Sequence, residues 1–229
     1  MTIRSDAAGM HSVFNLSCAR LAAEAPKVYP AWSQCLQHDV QTLQGFPTHS
    51  CSVAGHTMAP KFAAFIQPLL HGKVLDIGCG PQPIPLYLER WPLDLISGID
   101  PQPPFNAPHP FQFTQGVGEY LPWLDATFQT VILATSFDHC LLPDLVITEA
   151  ARVLPKNGRL LIWNTFFDQS SNYEPRQGIY RPRDSHHLFQ MTWRDFCALC
   201  QPAFQLVAMQ HELTPYSAHF SHWRKRAEV

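Results

Sequence analysis

The chain has 229 residues, enough for one α/β domain with an elaboration or for two small domains. Only 15% of residues are charged and the net charge is −2, which excludes the basic footprint of a nucleic-acid binder or of a protein drawn to acidic membranes. Apolar residues, at 46%, suffice for a buried core, and no stretch is long and apolar enough to span a bilayer.

Met1–Asp6 carries one charge of each sign with no long apolar run behind it, so it does not read as a signal peptide. Seven cysteines without a disulfide-like pattern fit a reducing cytoplasm. Val13, Leu16, Ala19, Leu21 and Ala22 are roughly helically spaced, and Pro26 and Pro30 interrupt that pattern. A second helix is expected over Ala31–Leu43, with Trp32, Cys35, Leu36, Val40 and Leu43 on one face, followed by a loop over Gly45–Ser50. Residues 1–57 are too few for a core of their own. They form a helical cap on the second unit, 58–229, either as a lid over a ligand or as a brace, with Tyr29, Trp32 and His38 as the residues to watch. A helix over Met58–Leu70 opens the second unit, and its Phe62, Phe65, Ile66 and Leu69 form a core-facing stripe.

Lys73–Pro83 is the organising stretch. Val74, Leu75 and Ile77 make a short buried parallel strand that ends in Gly78, Cys79 and Gly80. Pro83 and Pro85 sit where a helix can begin, with Ile84, Leu88 and Trp91 as its buried face and Pro92 as its stop. Strand, glycine turn and helix N-terminus together hold nucleotide-like ligands. Asp76 stands where a carboxylate accepts from an ammonium group or fixes the loop. A second strand, Leu95–Ile99, ends in Asp100, about 20 residues past the loop, where an acid grips ribose hydroxyls. Gln82 stands where a third glycine is common.

Pro101–Pro110 is a proline-rich loop in place of a crossover helix, and Phe111–Thr114 is a short strand. Gln129–Ala134 is another buried strand, ending in Thr135, Ser136, Phe137, Asp138 and His139. That polar cluster falls at a strand's carboxyl end, where open α/β sheets bind ligands. A helix over Pro143–Leu154 and a strand over Arg159–Trp163 follow. Asp168–Asp184 loses apolar periodicity and reads as a mobile loop over the site. Thr192 is the expected N-cap of a helix through Cys200, whose Cys197-x-x-Cys200 spacing reads as buried thiols. Phe204–Met209 and Tyr216–Phe220 read as a closing antiparallel pair.

Val74-Leu-Asp-Ile-Gly-Cys-Gly-Pro81 resembles the first motif of class I S-adenosylmethionine-dependent methyltransferases. Glu119–Phe128, Ser136–His139 and Glu149–Ile162 are similar to later segments of that family, in the right order. The resemblance runs from about Lys61 to Phe166. It implies an α/β, Rossmann-like, doubly wound seven-stranded sheet with an antiparallel last strand, and N-terminal helices that often form a lid. It further implies that Asp76, Gly78, Cys79 and Gly80 cradle the methionine part of S-adenosylmethionine and that Asp100 and Pro101 hold the ribose. Gly118 and Glu119 would hold the adenine, and Thr135 and Ser136 the methyl-donor end. The family's usual acidic adenine contact falls at Val117, which has no acceptor.

Methyl transfer from a sulfonium is an in-line displacement that needs positioning and exclusion of water, with no covalent catalyst. A hydroxyl acceptor gains from a general base, and histidine is the usual one near neutral pH. His139, oriented by Asp138, is the first candidate; His186 and His187 come second. These residues show no metal-ligand spacing, so no metal centre is expected. Many aromatics and few charges point to a small-molecule methyl acceptor, with S-adenosylhomocysteine as the other product. A protein or RNA acceptor and a non-catalytic S-adenosylmethionine-binding subunit are the rival readings.

Overall fold

The computed structural model describes residues 7–45, 55–105, 107–213 and 217–227. One sheet is built from β1 (Val74–Ile77), β2 (Ile96–Asp100), β3 (Gln112–Gln115), β4 (Thr130–Ala134), β5 (Arg159–Asn164), β6 (Phe204–Glu212) and β7 (Ala218–Lys225). Its order is β3-β2-β1-β4-β5-β7-β6. The first five strands are parallel, and β7 runs antiparallel to both β5 and β6. Every residue of β1, β2 and β4 is buried, as expected of central parallel strands covered on both faces. The chain reverses its winding direction between β1 and β4, and the crevice at their carboxyl ends is where such sheets bind ligands.

Among the described residues five α-helices surround the sheet: α1 (Ala7–Glu24), α2 (Tyr29–Gly45), α3 (Ala59–Ile66), α4 (Pro143–Val153) and α5 (Trp193–Cys200). The apolar stripe of α3 puts Phe62 and Ile66 against Val74, Ile132 and Trp163 on one face. On the other face, α4 and α5 bring Val146, Ala150 and Phe196 against Leu75, Ile77, Val131 and Leu133. Thr192 caps α5 as its sequence suggests, its Oγ1 accepting from the Asp195 N–H at 3.1 Å. A third core joins Leu21 of α1, Val28 of the connection and Trp32 of α2 to Leu141, Leu142, Leu188 and Phe189. This core docks the N-terminal helices at the carboxyl end of the sheet.

The helix expected after the glycine turn does not form. Only 3-10 turns over Leu86–Leu88 and Leu93–Leu95 lie between β1 and β2. The cause is the alternation of Pro81, Pro83 and Pro85. Each lacks an N–H, and each pushes the residue before it out of the helical region. With Pro92 ahead, too few residues remain to nucleate an α-helix. No helix N-terminus therefore faces the turn. The helix expected over Met58–Leu70 likewise ends early, at Ile66, and passes into a 3-10 turn at Gln67–Leu69 around Pro68.

The long stretch after β5 has no helix beyond a 3-10 turn at Pro175–Gln177, yet it is fastened to its surroundings. Tyr173 Oη donates to the Leu141 carbonyl at 2.7 Å, and Arg176 reaches Glu24 at 3.3 Å and Asp144 at 2.9 Å. The loop read over Gly45–Ser50 and the strand start at Tyr216 lie outside the described residues, apart from Gly45 itself, which ends α2.

Candidate active site

A cavity of about 340 Å³ opens at the carboxyl ends of the strands, within the range of small-molecule sites. Gly78, Cys79 and Gly80 approach it from β1, Asp100, Pro101 and Gln102 from β2, Gly118 and Glu119 from the turn after β3, and Thr135, Ser136 and His139 from β4. Helix α2 supplies a wall through Trp32, Leu36 and Asp39, and His186 and His187 complete it from the loop before α5. Twelve of the fourteen residues singled out in the sequence thus meet on one surface. Asp76 and Asp138 do not; both lie behind the lining.

The glycine turn is a cradle that a side chain would fill. Gly78 and Gly80 have φ of +76° and +72°, a region that L-residues rarely enter. A Cβ on Gly78 would stand 2.2 Å from the Ser136 Cβ. Ser136 is itself pinned, its Oγ donating to the Ile77 carbonyl at 2.6 Å. The ends of β1 and β4 are therefore in backbone contact, and the turn is open on its other side.

Asp100 ties two turns together. Its Oδ2 accepts the Gly80 N–H at 2.9 Å and its Oδ1 accepts the Gln102 N–H at 2.8 Å. Burial raises its pKa to about 6, against the pull of those amides, so the carboxylate is charged at neutral pH. Two carboxylate oxygens offer about four acceptor positions, and two are filled. The remainder fit a pair of hydroxyl donors.

Glu119, expected at the adenine, lines the cavity and also has a structural duty. Its buried Oε1 accepts the N–H groups of Leu141 and Leu142, at 2.8 and 3.1 Å, and so fixes the entry to α4. Glu119→Ala is expected to lose about 2–4 kcal/mol of stability, because two buried amides are left without partners. Glu119→Gln, which keeps an acceptor oxygen, should stay near wild type. Urea midpoints of the two variants check this, and equal losses would overturn it.

The histidines form one constellation around a residue the sequence reading passed over. Asp39 accepts from His139 Nδ1 through Oδ2 at 3.1 Å and contacts His186 Nδ1 through Oδ1. Burial works to raise the Asp39 pKa, but these contacts outweigh it and hold it below the usual range. Burial likewise works to lower the His139 pKa, but the Asp39 bond and the charges of Asp138 and Asp39 raise it to about 9. Trp32 Nε1 donates to the His139 carbonyl at 2.9 Å, so α2 is tied to this turn twice. Helical spacing of Trp32, Leu36 and Leu43 signalled which face of α2 is inward, and Asp39 follows them around it. No motif marks it.

Residues 75–162 match a family model described as a methyltransferase domain. No curated protein matches the sequence. Among solved structures, a Pyrococcus horikoshii protein is 17% identical with a TM-score of 0.60, over 81% of this chain and 99% of that one. A Burkholderia thailandensis 1,6-didemethyltoxoflavin-N1-methyltransferase is 14% identical with a TM-score of 0.59, over 99% of this chain and 94% of its own. The [4+2]-cyclase SpnF shares the fold at 14% identity, with a TM-score of 0.60, over 79% and 85% of the two chains. The fold therefore does not by itself fix the reaction. Residues 75–162 thus carry a methyltransferase-domain match, and the β3-β2-β1-β4-β5-β7-β6 order with a glycine cradle at its switch point gives this chain the fold of the solved methyltransferase it resembles.

Proposed function

We propose that the chain methylates an oxygen of a small-molecule acceptor, with S-adenosylmethionine as donor and a histidine as general base. The observation that carries this reading is the two-sided cavity, with the glycine turn and Asp100 on one side and a carboxylate-held histidine cluster on the other. The Burkholderia enzyme, which aligns with 99% of this chain, holds a small molecule and S-adenosylhomocysteine together. A cavity walled by α2 suits such an acceptor better than a protein or RNA segment.

When bound, S-adenosylmethionine supplies an electrophilic methyl group on a sulfonium. Gly78 and Gly80 let the backbone approach it, Asp100 accepts from the ribose hydroxyls, and the apolar lining of Ile77, Ile99 and Val117 keeps water out. Holding donor and acceptor in line can supply about 7–11 kcal/mol of the barrier. We assign the base to His186 ahead of His139, because Asp39 and Asp138 keep a proton on His139 at neutral pH. Asp39 faces His186 Nδ1, which keeps the proton on that nitrogen and leaves Nε2 free to accept one from the acceptor hydroxyl.

The test is calorimetric titration with S-adenosylhomocysteine against wild type and Asp100→Asn. Wild type is expected to bind, and the variant to lose about a hundredfold or more, since a charged acceptor of several hydrogen bonds is replaced by a neutral one. A folded wild type that does not bind would overturn the reading.

A further inference from the structure

In the methyl-transfer reading Asp138 acts only through its charge beside His139. Its side chain is mostly buried, at 12% exposed, and accepts no hydrogen bond from the described residues. Its Oδ2 faces His187 Nε2 at 3.6 Å and Arg183 Nη1 at 3.8 Å, both beyond hydrogen-bond range. These two loose ion pairs leave its oxygens without a hydrogen-bond donor, so they stay available to a cation. The rings of His139 and His187 lie 4.4 Å apart, and one donor atom from each of Asp138, His139 and His187 lies within 4.8 Å of the others.

We propose that Asp138, His139 and His187 form a binding site for a divalent first-row transition ion at the wall of the cavity. Two donors each about 2.1 Å from one ion at a tetrahedral angle stand about 3.4 Å apart. The 3.6 Å gap between His187 Nε2 and Asp138 Oδ2 is too long for a hydrogen bond and matches that separation. Each imidazole also has the outer partner that metal-bound histidines have. Asp39 takes the Nδ1 proton of His139, and Asp184 Oδ1 lies 2.7 Å from Nδ1 of His187. With a carboxylate on Nδ1, Nε2 is the nitrogen that takes the ion, which on His139 displaces the proton that nitrogen otherwise carries. Arg183 Nη2, which can only donate, also approaches His187 Nδ1 at 2.5 Å and competes with Asp184 there; with Nδ1 protonated toward Asp184, Arg183 keeps its own bond to that carboxylate through Nε at 2.9 Å.

Charge favours the same conclusion. Asp39, Asp138 and Asp184 surround the cluster and Arg183 is the single guanidinium among them, its Nε on Asp184 at 2.9 Å. The excess negative charge is what a dication neutralises. Two imidazoles and one carboxylate suit ions from Mn²⁺ to Zn²⁺ and leave coordination positions open. His139 and His187 both line the cavity, so an open position there would meet an acceptor oxygen and favour its ionised form. That last role rests on the methyl-transfer reading; ion binding does not.

The experiment uses the full chain freed of metal, titrated with Zn²⁺ by calorimetry and with Co²⁺ by its visible spectrum. One ion per chain is expected for wild type. Asp138→Asn and His187→Ala should each lose about 10–100-fold or more, the scale of loss that even outer-shell changes produce. Cys197→Ser, in the Cys197–Cys200 pair, should change nothing. S-adenosylhomocysteine titration of Asp138→Asn reports that the cavity is intact, because Asp138 lies behind its lining. No ion bound by wild type, or affinity unchanged in both site variants, would overturn the proposal. Zn²⁺ binding without S-adenosylhomocysteine binding would instead overturn the methyl-transfer reading and leave the metal site standing.

Discussion

Gly78→Ala is expected to lose S-adenosylhomocysteine binding beyond detection and about 2–5 kcal/mol of stability. Two separate effects add. An alanine at φ of +76° is strained by about 1–2 kcal/mol. Its Cβ would also lie 2.2 Å from the Ser136 Cβ, an overlap that must push one chain segment away, and overpacking of this kind costs about 1–3 kcal/mol. Ser136 has no easy retreat. Its Oγ is bonded to the Ile77 carbonyl, and Thr135 before it already sits at φ of +56° with its N–H held by the Trp163 carbonyl at 2.7 Å. A Gly78→Ala/Ser136→Gly double variant removes the overlap and keeps the strain, so it should regain about half of the lost stability. Thermal unfolding and calorimetry on both variants decide the matter, and a single variant that binds normally would show that the turn does not hold the ligand.

Asp76→Asn is expected to behave in the opposite sense, becoming more stable by about 1–3 kcal/mol at pH 8. Asp76 is wholly buried; its Oδ2 accepts from Tyr87 Oη at 2.9 Å and its Oδ1 has no partner among the described residues. Burial pushes its pKa up to about 7, only partly offset by Tyr87. An acid whose pKa is raised by folding holds its proton in the native state where the unfolded chain has released it. Stability from this group is therefore full below about pH 4, falls as pH rises to about 7, and is flat above that. Three pH units correspond to about 4 kcal/mol at most. The amide's own unmet hydrogen bonds take back part of this gain. Urea midpoints at pH 5, 6.5 and 8 should converge toward the acid end, and an Asn variant weaker than wild type at pH 8 would sink the argument. Tyr87 lines the cavity in front of this charge, so the same substitution should weaken S-adenosylmethionine, with its sulfonium, more than S-adenosylhomocysteine.

The sheet was readable because its signals are local. Val74–Ile77 is apolar but for Asp76 and is ended by Gly78, and Thr192 precedes Asp195 at capping distance. The missing helix after Gly80 was misread because Leu88 and Trp91 carry helical spacing while the prolines before them forbid the conformation. Backbone restriction outweighed periodicity. Glu119 could be placed at the cavity from its position after β3, but its bonds to Leu141 and Leu142 depend on how α4 approaches, which no local pattern encodes. Asp39 escaped notice for the same reason: its partners lie at positions 139 and 186, and nothing around Gln37–Val40 announces them. Asp138, His139 and His187 share no ligand spacing either, since more than forty residues, α4 and β5 among them, separate two of them from the third.

The attachment of α2 to the rest of the site also has a consequence in time. Asp39 and its partner His186 are 147 residues apart. At about 5–20 residues per second of synthesis, roughly 7–30 s pass between the appearance of one and the other. Throughout that interval the inward faces of Leu21, Val28 and Trp32 lack Leu188 and Phe189, which later cover them. The nascent chain therefore carries an uncovered greasy helix pair for many seconds, and the site closes only after His186, Leu188 and Phe189 have been made.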